Sequence, residues 1–157
     1  MRITPTLKEV EALVEAGADA IAIDATRRPR FDRYTLKEYI QAIKQRFDIP
    51  LLGDLSTYEE GFAAAEYGID AVSTTLSGYT PYSPNYGKLG DITFPEPDYE
   101  LIRTLKNSLS IPVIAEGRFN SPEKVRLAIE SGAHAVVVGT AITNPQKLTE
   151  MFCTGSR

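Results

Sequence analysis

Two alternating rhythms of apolar and polar positions run along the chain. Ala16–Asp24, Tyr67–Thr75 and Ser131–Gly139 share one pattern, in which Gly17, Gly68 or Gly132 precedes an apolar, partly β-branched run. Glycine there fits the left-handed residue just past a helix C-terminus, and the run after it fits a short buried strand. Two more strands are predicted at Ile49-Pro50-Leu51-Leu52 and Ile111-Pro112-Val113-Ile114, with proline at the opening residue, where its missing N–H is tolerated. Between the strands the period becomes helical. Leu36, Tyr39, Ile40, Ile43 and Phe47 mark one buried stripe; Leu101, Ile102, Leu105 and Leu109 mark another, in the helix after Pro97. Thr6 with Glu9, Thr35 with Glu38 and Ser56 with Glu59 have capping-box spacing, while Ser121-Pro122 and Asn144-Pro145 place a capping side chain before proline at the first helical position. The predicted order is one helix followed by five β-α units, which implies an α/β fold with a parallel sheet covered by helices.

No linker interrupts the 157 residues, so one domain is expected over residues 1–153, with residues 154–157 as a tail. The one long irregular stretch, Ser77 to Glu96, is of a length that is usually functional or mobile in a compact domain. Composition narrows the classes further. A hydrophobic content of 43% and a net charge of −4 exclude a disordered chain and argue against a nucleic-acid surface. No apolar run approaches the roughly 18 residues of a membrane span, and no signal-peptide stretch follows Met1-Arg2. The single cysteine, Cys153, excludes an internal disulfide framework and fits a reducing cytoplasm.

Candidate chemistry gathers at one end of the strands. Each is apolar until its C-terminal end, where Asp24, Asp54, Thr74 and Thr75, Glu116, or Gly139 and Thr140 appear. Parallel α/β folds bind ligands at this end, in the loops that lead into the helices. Glu116, in Ile114-Ala115-Glu116-Gly117-Arg118, is either a proton-transfer group or a carboxylate that caps a loop or pairs with Arg118. Asp24 and Asp54 carry the same two readings. Val138-Gly139-Thr140 suggests a phosphate turn, with Gly117 and Arg118 in its companion loop. Arg27, Arg28, Arg30 and Arg33 either steer an anionic substrate or are solvated; Tyr79, Tyr82 and Tyr86 either wall a sugar site or pack the loop. His134, the only histidine, lies at the opposite end of its strand and reads as structural. The sequence has no metal-ligand spacing, dinucleotide fingerprint or nucleophile elbow.

Together these residues resemble a known family. Ile3–Val10, Ile21–Thr26, Thr74–Thr80, Val113–Arg118 and Val137–Thr143 are similar to the N-acetylmannosamine-6-phosphate 2-epimerases, a phosphate-binding barrel family, and the resemblance runs from Ile3 to about Phe152. It implies a (β/α)₈ barrel that interconverts N-acetylmannosamine 6-phosphate and N-acetylglucosamine 6-phosphate by proton transfer at C2, in sialic acid and amino-sugar breakdown, without metal or organic cofactor. In the family a glutamate and a lysine do this work; the glutamate matches Glu116. Asp24 matches a sugar-contacting residue, and Gly139 and Thr140 match the phosphate loop.

Two departures carry consequences. The family lysine lies just upstream of the segment matching Ile3–Thr6, before this chain begins, and Asn144 stands where the family often has arginine. A (β/α)₈ barrel takes about 250 residues, with about 200 near its minimum, whereas five strands are readable here. The expectation is an incomplete TIM-type barrel with about five of eight βα units, truncated at its N-terminus and weakly active or inactive alone. Its sheet edges would lie open at Ala20–Asp24 and Val136–Gly139, where a complementing N-terminal fragment or another copy would pair. The alternatives are another sugar-phosphate isomerase or lyase of the phosphate-binding barrels, or a non-catalytic fragment that self-associates.

Overall fold

The computed structural model describes residues 2–84, 86 and 96–154. All five expected strands are present: β1 (Ile21–Asp24), β2 (Leu51–Asp54), β3 (Ala71–Ser73), β4 (Val113–Glu116) and β5 (Ala135–Val137). Helix α1 (Leu7–Glu15) precedes β1, and α2 (Leu36–Arg46), α3 (Tyr58–Glu66), α4 (Tyr99–Ser108) and α5 (Pro122–Glu130) lie between successive strands. The short α6 (Thr140–Thr143) and then α7 (Pro145–Thr154) follow β5. Gly17, Gly68 and Gly132 have positive φ, as the helix-end reading requires. Pro50 and Pro112 stand just before β2 and β4, where their carbonyls accept from the amides of Ile21 and Val72.

The strands pair in parallel in the order β1-β2-β3-β4-β5. An order that never reverses, joined by right-handed crossovers, brings every connecting helix to the same face, as in a barrel and unlike a doubly wound sheet. Burial agrees. Ile21, Ile23, Leu51, Val72, Val113 and Ala115 form one core with Tyr39, Ile40 and Ile43 of α2 and Ile102 and Leu105 of α4. On the other face Ala22, Leu52, Ala71 and Ile114 are only half-buried. Among the described residues the sheet is open, with β1 and β5 at its edges. The first edge is partly covered, because the carbonyl of Ile3 accepts from the amide of Asp24. On the second, Val137 is 40% exposed.

One helix start differs from expectation. The N-cap of α3 is Thr57 with Glu60, not Ser56 with Glu59. Ser56-Thr57-Tyr58-Glu59-Glu60 contains two overlapping capping-box patterns, and burial decides between them. Glu60 is fully buried; its carboxylate accepts from the amides of Ser56 and Arg27 (each 2.8 Å) and from the Ser56 hydroxyl (2.7 Å). It thereby joins the loop after β1 to the loop after β2, a tie that the exposed Glu59 does not make.

In α3, Gly61 permits close helix packing. A Cβ there would lie 2.5 Å from Leu105 Cδ2 and 3.0 Å from Leu55 Cδ2, both on fully buried side chains. Gly61→Ala improves intrinsic helix propensity by about 1 kcal/mol, but overpacking costs about 1–3 kcal/mol. The expected outcome is a lower urea midpoint, in contrast to the usual gain from replacing a helical glycine.

The expected tail, apart from Thr154 at the end of α7, lies outside the described residues, as do Asn85 and residues 87–95 of the long loop. No helix among the described residues is long and apolar enough to cross a membrane.

Candidate active site at the carboxyl rim of the sheet

Strand register assembles the site. Asp24 is paired with Asp54, Asp54 with Ser73, Ser73 with Ile114, and Glu116 with Val137. Side chains alternate along a strand, so Asp24, Asp54, Ser73 and Glu116 share the face turned away from the helices, at the carboxyl ends of adjacent strands.

Thr75, just past β3, joins two of these carboxyls. Its Oγ1 is 2.7 Å from Asp54 Oδ1, 3.0 Å from Glu116 Oε2 and 2.7 Å from Ser73 Oγ. The preceding Thr74 fixes the backbone of Glu116: its hydroxyl donates to the Glu116 carbonyl and accepts from the Glu116 amide, each at 3.0 Å. Glu116 is half-buried. Asp54 is 4% exposed. Burial raises its pKa from 3.8 to about 7; the charges of Glu116 and Asp24 push the same way, against the hydrogen bond from Thr75. Asp54 is therefore substantially protonated near neutrality, beside a second carboxyl group.

Asp24 lies on this rim but is heavily engaged. Its Oδ1 accepts from the amide (3.0 Å) and hydroxyl (2.6 Å) of Thr26, and its Oδ2 from Arg28 and from Arg2 at 3.4 Å. These bonds close the turn after β1, matching the loop-capping alternative. The guanidinium of Arg118 donates to the carbonyls of Ser77 (2.7 Å) and Glu96 (2.9 Å), clasping the β3–α4 loop, and makes no ion pair with Glu116. Gly117 has φ +105° and Arg118 φ +69°, so the chain leaves β4 through two left-handed residues. The first suits glycine, which has no Cβ to strain the turn.

The turns after β4 and β5 are neighbours, since Glu116 pairs with Val137. No atom lies within 4 Å of where a Gly139 Cβ would stand, which leaves that backbone open to approach. Thr140 is exposed and opens α6. Asn144 caps α7, its Oδ1 accepting from the Lys147 amide at 3.0 Å.

Other candidates fall away from the carboxyl cluster. Arg30 stacks on the Tyr39 ring, 3.7 Å from its centroid, and donates to the Pro5 carbonyl, so it neither steers a ligand nor is simply solvated. Arg27 lies over Tyr82, and both line a cavity of about 600 Å³ between the starts of α3 and α4 that includes none of the rim carboxylates. Tyr79 and Tyr86 are exposed, and His134 stands just before β5 with its amide bonded to the Val113 carbonyl. Sequence reasoning missed the tie made by Glu60 and the bridge made by Thr75. The overlapping capping boxes signalled the first; two hydroxyls directly after an apolar strand were the only sign of the second.

Comparison with known proteins identifies the family. Residues 1–156 match the family model described as "Putative N-acetylmannosamine-6-phosphate epimerase". Two relatives described as "Putative N-acetylmannosamine-6-phosphate 2-epimerase" align over nearly the whole chain. The relative from Caldanaerobacter subterraneus subsp. tengcongensis is 48% identical, over 97% of this chain and 61% of its own length. That from Clostridioides difficile is 47% identical, over 96% and 63%. The solved N-acetylmannosamine-6-phosphate 2-epimerase of Clostridium perfringens superposes with a TM-score of 0.83 at 43% identity, covering 96% of this chain and 62% of that one. The chain thus spans somewhat over three fifths of the length of these relatives. It belongs to the N-acetylmannosamine-6-phosphate epimerase family.

Proposed function

We propose that this chain carries the acid–base half of an epimerase that interconverts N-acetylmannosamine 6-phosphate and N-acetylglucosamine 6-phosphate in a reducing cytoplasm. The observation that carries the reading is the placement of Glu116, half-buried, on one rim with Asp54 and beside the turns of Gly117 and Gly139. In the open-chain sugar the C1 aldehyde acidifies the C2 proton. A base held at that carbon removes it to give an enolate, and return of a proton to the opposite face inverts C2. Glu116 is the proton-transfer group. The phosphate is assigned to the backbone amides around Gly139 and Thr140 with Gly117, and Asp24 and Arg118 hold the surrounding loops in place. With Asn144 capping a helix, the anion contact expected of a family arginine must come from elsewhere.

A family lysine upstream of Ile3 completes the chemistry, and the exposed edge of β5 offers the place where further βα units would pair. The test is incubation with N-acetylmannosamine 6-phosphate in D2O, followed by NMR, for the chain alone and with the remaining βα units of a full-length relative supplied. The expected product is the epimer with deuterium at C2, formed much faster in the complemented sample. Failure of the completed barrel to exchange C2, or a preference for sugar phosphates lacking the 2-acetamido group, overturns the reading.

A further inference from the structure

The Thr75 hydroxyl has more partners than protons. Three close contacts converge on its Oγ1: Ser73 Oγ at 2.7 Å, Asp54 Oδ1 at 2.7 Å and Glu116 Oε2 at 3.0 Å. Ser73 and Thr75 bring one hydroxyl proton each. If both carboxyls are ionised, the Ser73 proton goes to Thr75 or to Glu116 Oε2, 3.5 Å away, and the Thr75 proton to one carboxylate. The remaining oxygen–oxygen contact then has no hydrogen in it. One further proton, on either carboxyl, satisfies all three contacts. With that proton on Asp54, Asp54 donates to Thr75 and Thr75 donates to Glu116; with it on Glu116, both bonds reverse.

We infer that Thr75 is a positioning residue that shares one proton between Asp54 and Glu116, so that the two carboxyl groups act as a single acid–base unit. The transfer balances. Asp54 releases its proton to the Thr75 oxygen as Thr75 releases its own to Glu116, leaving Asp54 ionised and Glu116 neutral. A Glu116 that has delivered a proton to a substrate carbon is thus reloaded from within the protein. The surroundings favour retaining one proton. Asp54 is buried, the nearby charges acting on it are those of Glu116 on β4 and Asp24 on the flanking β1, and Arg2 and Arg28 are engaged with Asp24. The catalytic meaning of the relay rests on the proposed function, but its existence does not and is tested without substrate.

The experiment is a carbon-13 NMR titration of the labelled carboxyl groups in the unaltered chain and in Thr75→Val, Thr75→Ser and Asp54→Asn. In the unaltered chain Asp54 is expected to titrate at about 7, and the Glu116 carboxyl carbon to move in chemical shift over the same range as its bond to Thr75 reverses. Thr75→Val removes the hydrogen bond to the ionised Asp54, so that midpoint moves up by about one pH unit and the coupled movement of the Glu116 carbon is lost. Thr75→Ser restores both. Asp54→Asn abolishes the coupled movement of the Glu116 carbon and keeps the inference testable if the valine variant does not fold. Unchanged carboxyl curves in Thr75→Val, or equal shifts in valine and serine variants, overturn the relay. So does a coupled movement of the Glu116 carbon that survives Asp54→Asn. A relay that passes this titration while the completed barrel fails to exchange C2 would sink the functional reading alone.

Discussion

Asp54→Asn is expected to make the chain more stable at pH 8 by several kcal/mol while leaving its stability near pH 4 almost unchanged. Asp54 is 4% exposed, and its pKa rises from 3.8 to about 7 on folding. Between those values the folded chain holds a proton that the unfolded chain has released, so stability falls as pH rises. The contribution is fully present below 3.8 and lost above about 7, and the difference corresponds to about 4 kcal/mol. The variant carries no charge at either pH and escapes the loss. Comparing the two proteins removes other titrations, including those of Glu9, Glu38 and Glu59, whose lowered pKa values have the opposite pH sign. Urea unfolding at several pH values from 4 to 8.5 reads the result. A stability difference that stays flat across this range would show that the Asp54 pKa does not change on folding. With the expected difference, the rim holds its chemistry at a cost in stability, as functional sites often do.

Much of this fold was legible because its signals are local. Glycines after helices, prolines before strands and capping boxes each depend on a few consecutive residues, and all five strands formed where these marks placed them. The sheet order follows nearly as directly, since short right-handed crossovers bring sequential strands side by side. The polar strand ends also foretold which rim carries the carboxyl cluster. The misplaced start of α3 shows the limit. Ser56-Glu59 and Thr57-Glu60 are equivalent locally, and a long-range bond from the Arg27 amide to Glu60 separates them. The same limit hid the state of Asp54, which depends on burial and on Thr75, 21 residues away in sequence. It also hid the clasp from Arg118 to the carbonyls of Ser77 and Glu96. Side-chain pairing across loops is set by tertiary packing, and a one-dimensional pattern holds no record of it.

Glu116→Gln tests the centre of the proposed chemistry. In a barrel completed with the remaining βα units of a full-length relative, the expected loss of turnover is about 10²–10⁴-fold, the usual contribution of one positioned acid–base group. Glutamine preserves shape, and its amide oxygen can still accept from Thr75. The bonds between Thr74 and the backbone at residue 116 do not involve the replaced group. Folding stability should therefore change by no more than about 1 kcal/mol, within the range of a single neutral hydrogen-bond alteration. KM should change little while kcat falls, because the lost group acts on the proton in flight and not on the phosphate. Deuterium exchange at C2 must fall in parallel with epimer formation if Glu116 moves that proton. Should exchange persist within tenfold of the unaltered enzyme, removal of the C2 proton belongs to another group, and the role left for Glu116 is to orient the sugar.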